Sequence, residues 1–507
     1  MNRGYAHIMR VLCILLFAAC GDHSPPGPSY TVETISMPAG LTSETGAIAF
    51  LPNGKLVASF TRGEVLIYDP AKKTWKLFAE GLHDPLGIYV VSNSELLIMQ
   101  RPELTRVKDT DGDGSADLYE NVTDAFGISG NYHEFSYGPV KDKNGNFFIA
   151  LNASSPGGSM RKEVRGVIDT LGRDGNGNGQ MFSAVPYRGW VMKLTPAGDL
   201  IPVASGLRSP NGIGFDPEGN LFCTDNQGDW IGTSALHHIL DGKFYGHPAS
   251  LVWSTGWNRG NPFHLPIDTL EKMRTKAVVL FPHDIIANSP SQPVWDTSSG
   301  KFGPFEGQLF VGEMNEGRLI RVMLEKVGGE FQGACIPFFD NKGLRKGNNR
   351  LAFAPDGSLW VGQNSHGWLG DEGIQRIVFN KSQPFDIYTM SLTESGFDLV
   401  FTKPIKNKHT TDSAAYSVTR YYYEYHKKYG SDRIGSEQVA VKDIHISSDR
   451  KKVSLTLSEL KPGYVYELKL NNIFSKAGDT LENKIICYTL NRLRSEDHIS
   501  ALIKKPL

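Results

Sequence analysis

Residues 109–120 read Asp-Thr-Asp-Gly-Asp-Gly-Ser-Ala-Asp-Leu-Tyr-Glu. Asp109, Asp111, Asp113, Ser115, Asp117 and Glu120 stand at positions 1, 3, 5, 7, 9 and 12 of a twelve-residue loop. Gly114 stands at position 6, where the sharp turn needs glycine. Oxygens at alternate positions wrap a hard cation, so the spacing predicts a calcium loop, with Ser115 giving its backbone carbonyl. The plainer alternative is an acidic, solvated turn. Asp174–Gly179 begins the same way but has Val185 at position 12, and reads as a Gly/Asn turn.

A second group of chemistry-bearing residues lies far apart in the chain. His133 can serve as a base, and Arg208 and Arg345 can clamp carboxylates or phosphates. Asn211 and Asn349 add polar side chains to the group. What brings them together is an internal repeat. Ala47–Leu56, Gly212–Leu221 and Arg350–Leu359 align without gaps as an apolar strand, a Pro-x-Gly turn and a second apolar strand. Looser copies begin at Gly87, Glu134 and Pro293. Short strands with glycine turns, repeated six times, predict a six-bladed β-propeller over residues 30–383, rather than a sandwich or a pair of β domains. In a propeller the first strand of each blade lines the central channel. The residues just before it then share one rim, which places His133, Arg208, Asn211, Arg345 and Asn349 around one pocket. The long inserts Ser154–Gly189 and Ile231–Leu280 belong to blades three and four. His237, His238, His247 and His366 could bind a metal, but their spacing matches no ligand pattern.

Residues 384–495 alternate apolar and polar with period two in short runs such as Lys452–Leu457 and Tyr464–Leu470. That pattern predicts a small Ig/fibronectin-like β-sandwich after the propeller, so the whole chain is all-β. The aromatic run Tyr421–Tyr425 is expected to pack against the propeller.

Composition narrows the function. The chain has 507 residues, 54 of them glycine, where ~7% is usual. Its formal charge is −1, without the basic footprint of a nucleic-acid binder. Arg3 and Arg10 precede a short apolar run that ends at Leu16-Phe17-Ala18-Ala19-Cys20. This is expected to be a lipoprotein signal peptide over residues 1–19, with Cys20 carrying the lipid and residues 20–29 a tether. The expected location is the bacterial cell envelope, lipid-anchored, periplasmic or at the cell surface, with the lipid as the sole membrane contact. Residues 496–507 form a tail. Cys223, Cys335 and Cys487 read as buried apolar residues.

Several segments together carry a resemblance. Asn131-Tyr132-His133 with Gly138-Pro139, Gly206-Leu207-Arg208-Ser209-Pro210 with Pro217-Glu218-Gly219, and Asn349 with Pro355-Asp356-Gly357 resemble the soluble glucose/sorbosone dehydrogenases. Asp109–Glu120, Gly228-Asp229-Trp230 and Tyr245–Pro248 are similar to propeller proteins of Planctomycetes and their relatives labelled membrane-bound dehydrogenases. The resemblance implies an oxidoreductase that acts on a sugar or sugar-derived hydroxyl or aldehyde with pyrroloquinoline quinone. It implies His133 as the base and Arg208 as a quinone clamp. The family's neighbouring asparagine is Ser209 here, unless Asn211 substitutes for it, and Arg345, Lys346 and Arg350 are loose counterparts of a quinone-binding pair. No CxxCH motif occurs in the sequence, so electrons would leave to a separate cytochrome or quinone. The alternative is a non-catalytic, calcium-stabilised lipoprotein that binds a sugar or oligosaccharide. A hydrolase acting through a channel metal lacks a clear carboxylate set.

Overall fold

The structure is a computed structural model. It describes residues 27–161, 165–169, 171, 179–365, 370–406 and 410–494. The signal peptide, Cys20, residues 174–178 of the Gly/Asn turn, His366 and the tail lie outside the described residues.

Each repeat folds as an antiparallel sheet, and in four blades a tight turn joins the first two strands. The turns close at Gly54, Gly145, Gly219 and Gly357, all with φ between 81° and 91°, a conformation that costs glycine little. Blade one comprises Thr45–Phe50, Leu56–Phe60, Val65–Asp69 and Thr74–Ala79. Blades two, three and four begin at Gly87, Ser136 and Gly212 and repeat that order. Blade five comprises Pro290–Trp295, Leu309–Glu313, Leu319–Val327 and Glu330–Phe338. The six innermost strands contact one another in a closed ring, which makes the six-bladed propeller. Apolar clusters lie between adjacent blades, such as Val57, Val65 and Phe78 against Leu96, Ile98 and Val107.

Blade six takes its outer strand from the other end of the chain. Tyr30–Thr34 pairs with Gly373–Phe379 in register from Tyr30↔Phe379 to Thr34↔Gln375. This closure covers the outer edge of Gly373–Phe379 and ties residue 30 to residue 379. The blades also crowd at the channel. A Cβ on Gly87 would lie 1.4 Å from the Gly138 carbonyl oxygen, so only glycine permits that approach.

Residues 384–494 form a β-sandwich. Its first sheet runs in the order Val441–Ile446, Lys452–Leu457, Gly396–Phe401 and Ile387–Leu392. Its second holds Tyr416–Tyr422, Ile434–Gln438, Tyr464–Leu470 and Ile485–Leu490. Their facing side chains, among them Ile387, Leu399, Val418, Leu455 and Leu468, form one apolar core. The second sheet does not stop at the domain edge. Ile485–Leu490 pairs with the outer strand of blade five through Gly333↔Thr489, Ala334↔Tyr488 and Cys335↔Cys487. Propeller and sandwich therefore share one eight-stranded sheet. Cys335 and Cys487 are free thiols in its buried middle, as is Cys223 in blade four.

A buried ion pair locks the same junction. Arg321 of blade five is fully buried, and its guanidinium lies 3.1 Å from Asp386 at the start of the sandwich. It also donates to the Ile387 carbonyl at 2.6 Å and to Gln308 Oε1 at 2.6 Å. Removing one partner strands a charge in the core. Asp386→Ala is expected to cost about 3–5 kcal/mol and to lower a single melting transition of the whole chain. Two separate transitions, with the propeller's unmoved, would refute this coupling.

Candidate active site at the channel mouth

One end of the channel opens into a cavity of about 660 Å³. His133, Arg208 and Asn211 all line it, on the connections into blades three and four. The sandwich contributes Tyr429 to the same wall.

His133 follows a tight turn in which its backbone N–H donates to Asn131 Oδ1 at 3.0 Å. Its ring Nδ1 lies 2.9 Å from the Ala153 carbonyl oxygen. A carbonyl can only accept, so the ring proton sits on Nδ1 and Nε2 is the proton-accepting nitrogen. Burial lowers the pKa from 6.5 to about 4, against the Ala153 carbonyl, which raises it. The ring is therefore neutral near pH 7. His237 is also buried, and burial lowers it to about 3. Between pH 6.5 and 4 the unfolded chain binds protons that these folded rings refuse, so stability falls as pH falls through that window.

Arg208 is held by two acids. Its backbone N–H and that of Ser209 donate to Asp225, at 2.9 and 2.7 Å. Burial raises the Asp225 pKa to about 6, although both N–H bonds lower it. The Arg208 side chain donates from Nε to Asp229 Oδ1 at 2.9 Å. His247 Nε2 lies 2.9 Å from the other oxygen of Asp229, and the Met181 N–H donates to it at 2.8 Å. Burial alone would raise the Asp229 carboxyl, but His247 and Arg208 outweigh it and hold the group below the usual range. Arg208 thus brings little net charge to the cavity. Its two terminal nitrogens make no hydrogen bond among the described residues, and its Cζ lies 5.3 Å from the Tyr429 ring centre.

The other basic candidates lie elsewhere. Arg345 donates from Nη1 to the Glu372 carbonyl at 2.9 Å, and Lys346 lies 3.7 Å from Glu316. Neither lines the cavity. Arg350 is fully buried deeper in the channel, beside a separate space of about 80 Å³. It donates to the carbonyls of Leu86, Asn211 and Asn349 and lies over the Tyr137 ring at 4.7 Å. It ties blades together across the axis. His238 stacks on Phe222 at 5.2 Å, and His237 contacts Tyr245 at 4.9 Å, so both serve the core of blade four.

At Asp109–Glu120 the structure gathers half of the set. Oxygens of Asp109, Asp111 and Asp113 lie within 4.8 Å of one another. Asp109 accepts from the N–H groups of Gly112 and Gly114, at 2.7 and 2.9 Å. Asp117 instead accepts from Thr110, and Glu120 pairs with Arg106 at 2.5 Å from the outer strand of blade two. Lys76 Nζ lies 2.5 Å from the Asp113 carbonyl oxygen.

Residues 68–364 match the family model described as a domain of unknown function, DUF7133. The chain belongs to the DUF7133 family. The match runs from the third strand of blade one to the end of the second strand of blade six, so the DUF7133 region contains His133, Arg208 and Asn211. No curated protein matches the sequence. Among solved structures, the chain is similar to the quinone-bound aldose sugar dehydrogenase of Streptomyces coelicolor. Identity is 17%, coverage 70% of this chain and 99% of that one, and the TM-score 0.47. It is similar to the soluble aldose sugar dehydrogenase of Escherichia coli in its apo form, at 16% identity, 69% and 100% coverage and a TM-score of 0.46. It is also similar to the quinone domain of pyranose dehydrogenase from Coprinopsis cinerea, at 14% identity, 69% and 95% coverage and a TM-score of 0.46.

The DUF7133 cavity has a second source of side chains that the rim argument missed. In an antiparallel hairpin the end of strand two lies beside the start of strand one. The residue directly after the second strand is Gln100, Asn152, Asn226 and Asn364 in blades two, three, four and six. In blade five Asn315 comes one position later. Asn152, Asn226 and Asn315 line the cavity, with Gln227 and Asn288 beside them. The Oδ1 atoms of Asn152 and Asn226 are buried and have no hydrogen-bond partner among the described residues. This periodic amide was readable from the same alignment. Asp229 and His247 carried no such signal, since both lie outside the repeat, at and within the blade-four insert.

Proposed function

We propose that the channel-mouth cavity binds a sugar and that the chain oxidises one of its hydroxyl groups with a pyrroloquinoline-type quinone. The observation that carries this reading is His133, neutral and with its tautomer fixed in the wall of an amide-lined cavity. A base of this kind takes the hydroxyl proton on Nε2 as the carbon becomes oxidised. Asn152, Asn211, Asn226 and Gln227 suit a neutral polyol, because each amide both donates and accepts. Tyr132 and Phe135 offer flat apolar faces for the sugar ring. The quinone, when bound, supplies the hydride acceptor. Arg208 fits it at one point, since its terminal fork is unengaged among the described residues and can hold a carboxylate or quinone oxygen. The volume suits two small ligands side by side. A separate cytochrome or quinone would then accept the electrons.

One observation favours a second reading, sugar binding without turnover. The cavity offers a single guanidinium, already balanced by Asp229, to a cofactor with three carboxylates. Titration with pyrroloquinoline quinone, followed by sugar-dependent dye reduction, decides between the two. The oxidoreductase reading expects quinone binding that Arg208→Ala abolishes. It expects His133→Ala to cut kcat about 10²-fold or more with sugar still bound. Sugar binding with no quinone binding leaves the binding reading alone.

A structural calcium on blade two belongs to the same reading, held by the oxygens of Asp109, Asp111 and Asp113. Three carboxylates leave room for the carbonyls and waters such an ion also needs. Elemental analysis should find one calcium per chain, and chelation should lower the melting temperature by about 3 °C or more. A metal-free protein with an unmoved transition would end this proposal.

Cys20 is proposed as the lipid anchor that holds the protein at the bacterial envelope. Among the described residues no helix is long and apolar enough to cross a membrane. Cys20→Ala should move the protein from the membrane to the soluble fraction, and unchanged membrane association would exclude the anchor.

A further inference from the structure

The channel-mouth cavity does not end at the propeller. A groove of about 680 Å³ lies between the propeller and residues 423–434 of the sandwich. It shares Gln227, His283 and Tyr429 with the cavity, so the two form one cleft. The groove's sandwich wall is pinned to blade four. The Gly430 N–H donates to the Gly228 carbonyl at 2.9 Å, and the Ser431 N–H to the Gly232 carbonyl at 2.8 Å. Arg433 donates to the His283 carbonyl at 2.8 Å. This pinned backbone holds Tyr429 at the point where cavity meets groove. Yet its side chain stays 69% exposed. A large aromatic on a fixed backbone, exposed and facing a cleft, is a stacking platform rather than a core residue.

The groove's charges are mixed. Lys428 and Arg433 stand among Asp284, Glu424 and Asp432. That composition suits a neutral ligand rich in hydroxyls better than a polyanion or polycation. We propose that the cleft takes an oligosaccharide, with one unit in the channel-mouth cavity and further units passing over Tyr429 into the groove. The proposal rests on the reading of the cavity as a sugar site, and it assigns the sandwich a part in substrate selection. Tyr429 is the specificity-determining residue at the junction, and His426 and Lys428 lie along the outer units.

The test is a glycan array carrying monosaccharides and their oligomers, followed by calorimetric titration of the bound sugars with the full chain. The readout is the ratio of oligomer to monomer affinity. The wild-type chain is expected to prefer oligomers about 10-fold or more. Tyr429→Ala, and separately the His426→Ala/Lys428→Ala pair, should bring the ratio close to one, with melting curves confirming the fold. Equal affinity of the wild type for monomer and oligomers overturns the extended cleft and leaves the sugar site standing. Failure to bind either overturns the sugar reading itself, and the extension with it.

Discussion

The pairing of Cys335 with Cys487 across two strands is the joint on which the rest of the molecule depends. It makes blade five and half of the sandwich one sheet, so the two domains cannot turn against each other without breaking ladder hydrogen bonds. Arg321 and Asp386 fix the other side of the joint in the dry interior. With the sandwich held in place, the segment after Tyr422 runs along blade four and packs on it. Tyr425 lies against Trp230 at 5.4 Å and under Arg274 at 4.6 Å. The wall that carries Tyr429 follows from that packing.

A second constraint is electrostatic. Burying Arg208 beside a cavity is costly unless its charge is met, and Asp229 meets it while also accepting from the Met181 backbone. One carboxylate thereby orients the guanidinium, engages His247 and anchors the insert of blade three. The resulting cavity is nearly neutral and dominated by amides and aromatic rings. Neutral polar walls recognise hydroxyl groups at little desolvation cost, which is why the proposed ligand is a sugar.

The blades were legible because a hairpin is a local event. Strand, Pro-x-Gly turn and strand follow directly on one another, so each repeat shows its own structure without knowledge of the others. The rim was legible in part for the same reason, and His133, Arg208 and Asn211 meet as the alignment placed them. Arg345 and Lys346 share that alignment but turn to the Glu372 carbonyl and the Glu316 carboxylate, because nearby groups on blades five and six compete for them. The alignment gives a residue's height on the propeller, and local partners decide whether its side chain turns to the axis.

The repeat, the glycines that turn it, the acidic loop and the alternating strands of the second domain can all be read along the chain. Each depends on neighbours within about a dozen residues. The closure of blade six by Tyr30–Thr34, the sheet shared by the two domains, and the meeting of Arg208 with Asp229, His247 and Tyr429 exist only once the chain has folded. Those contacts join segments from 18 to more than 300 residues apart. Such pairings are selected by which buried charges, sheet edges and apolar faces remain unmet after the local elements have formed, and no pattern along one stretch of chain records them.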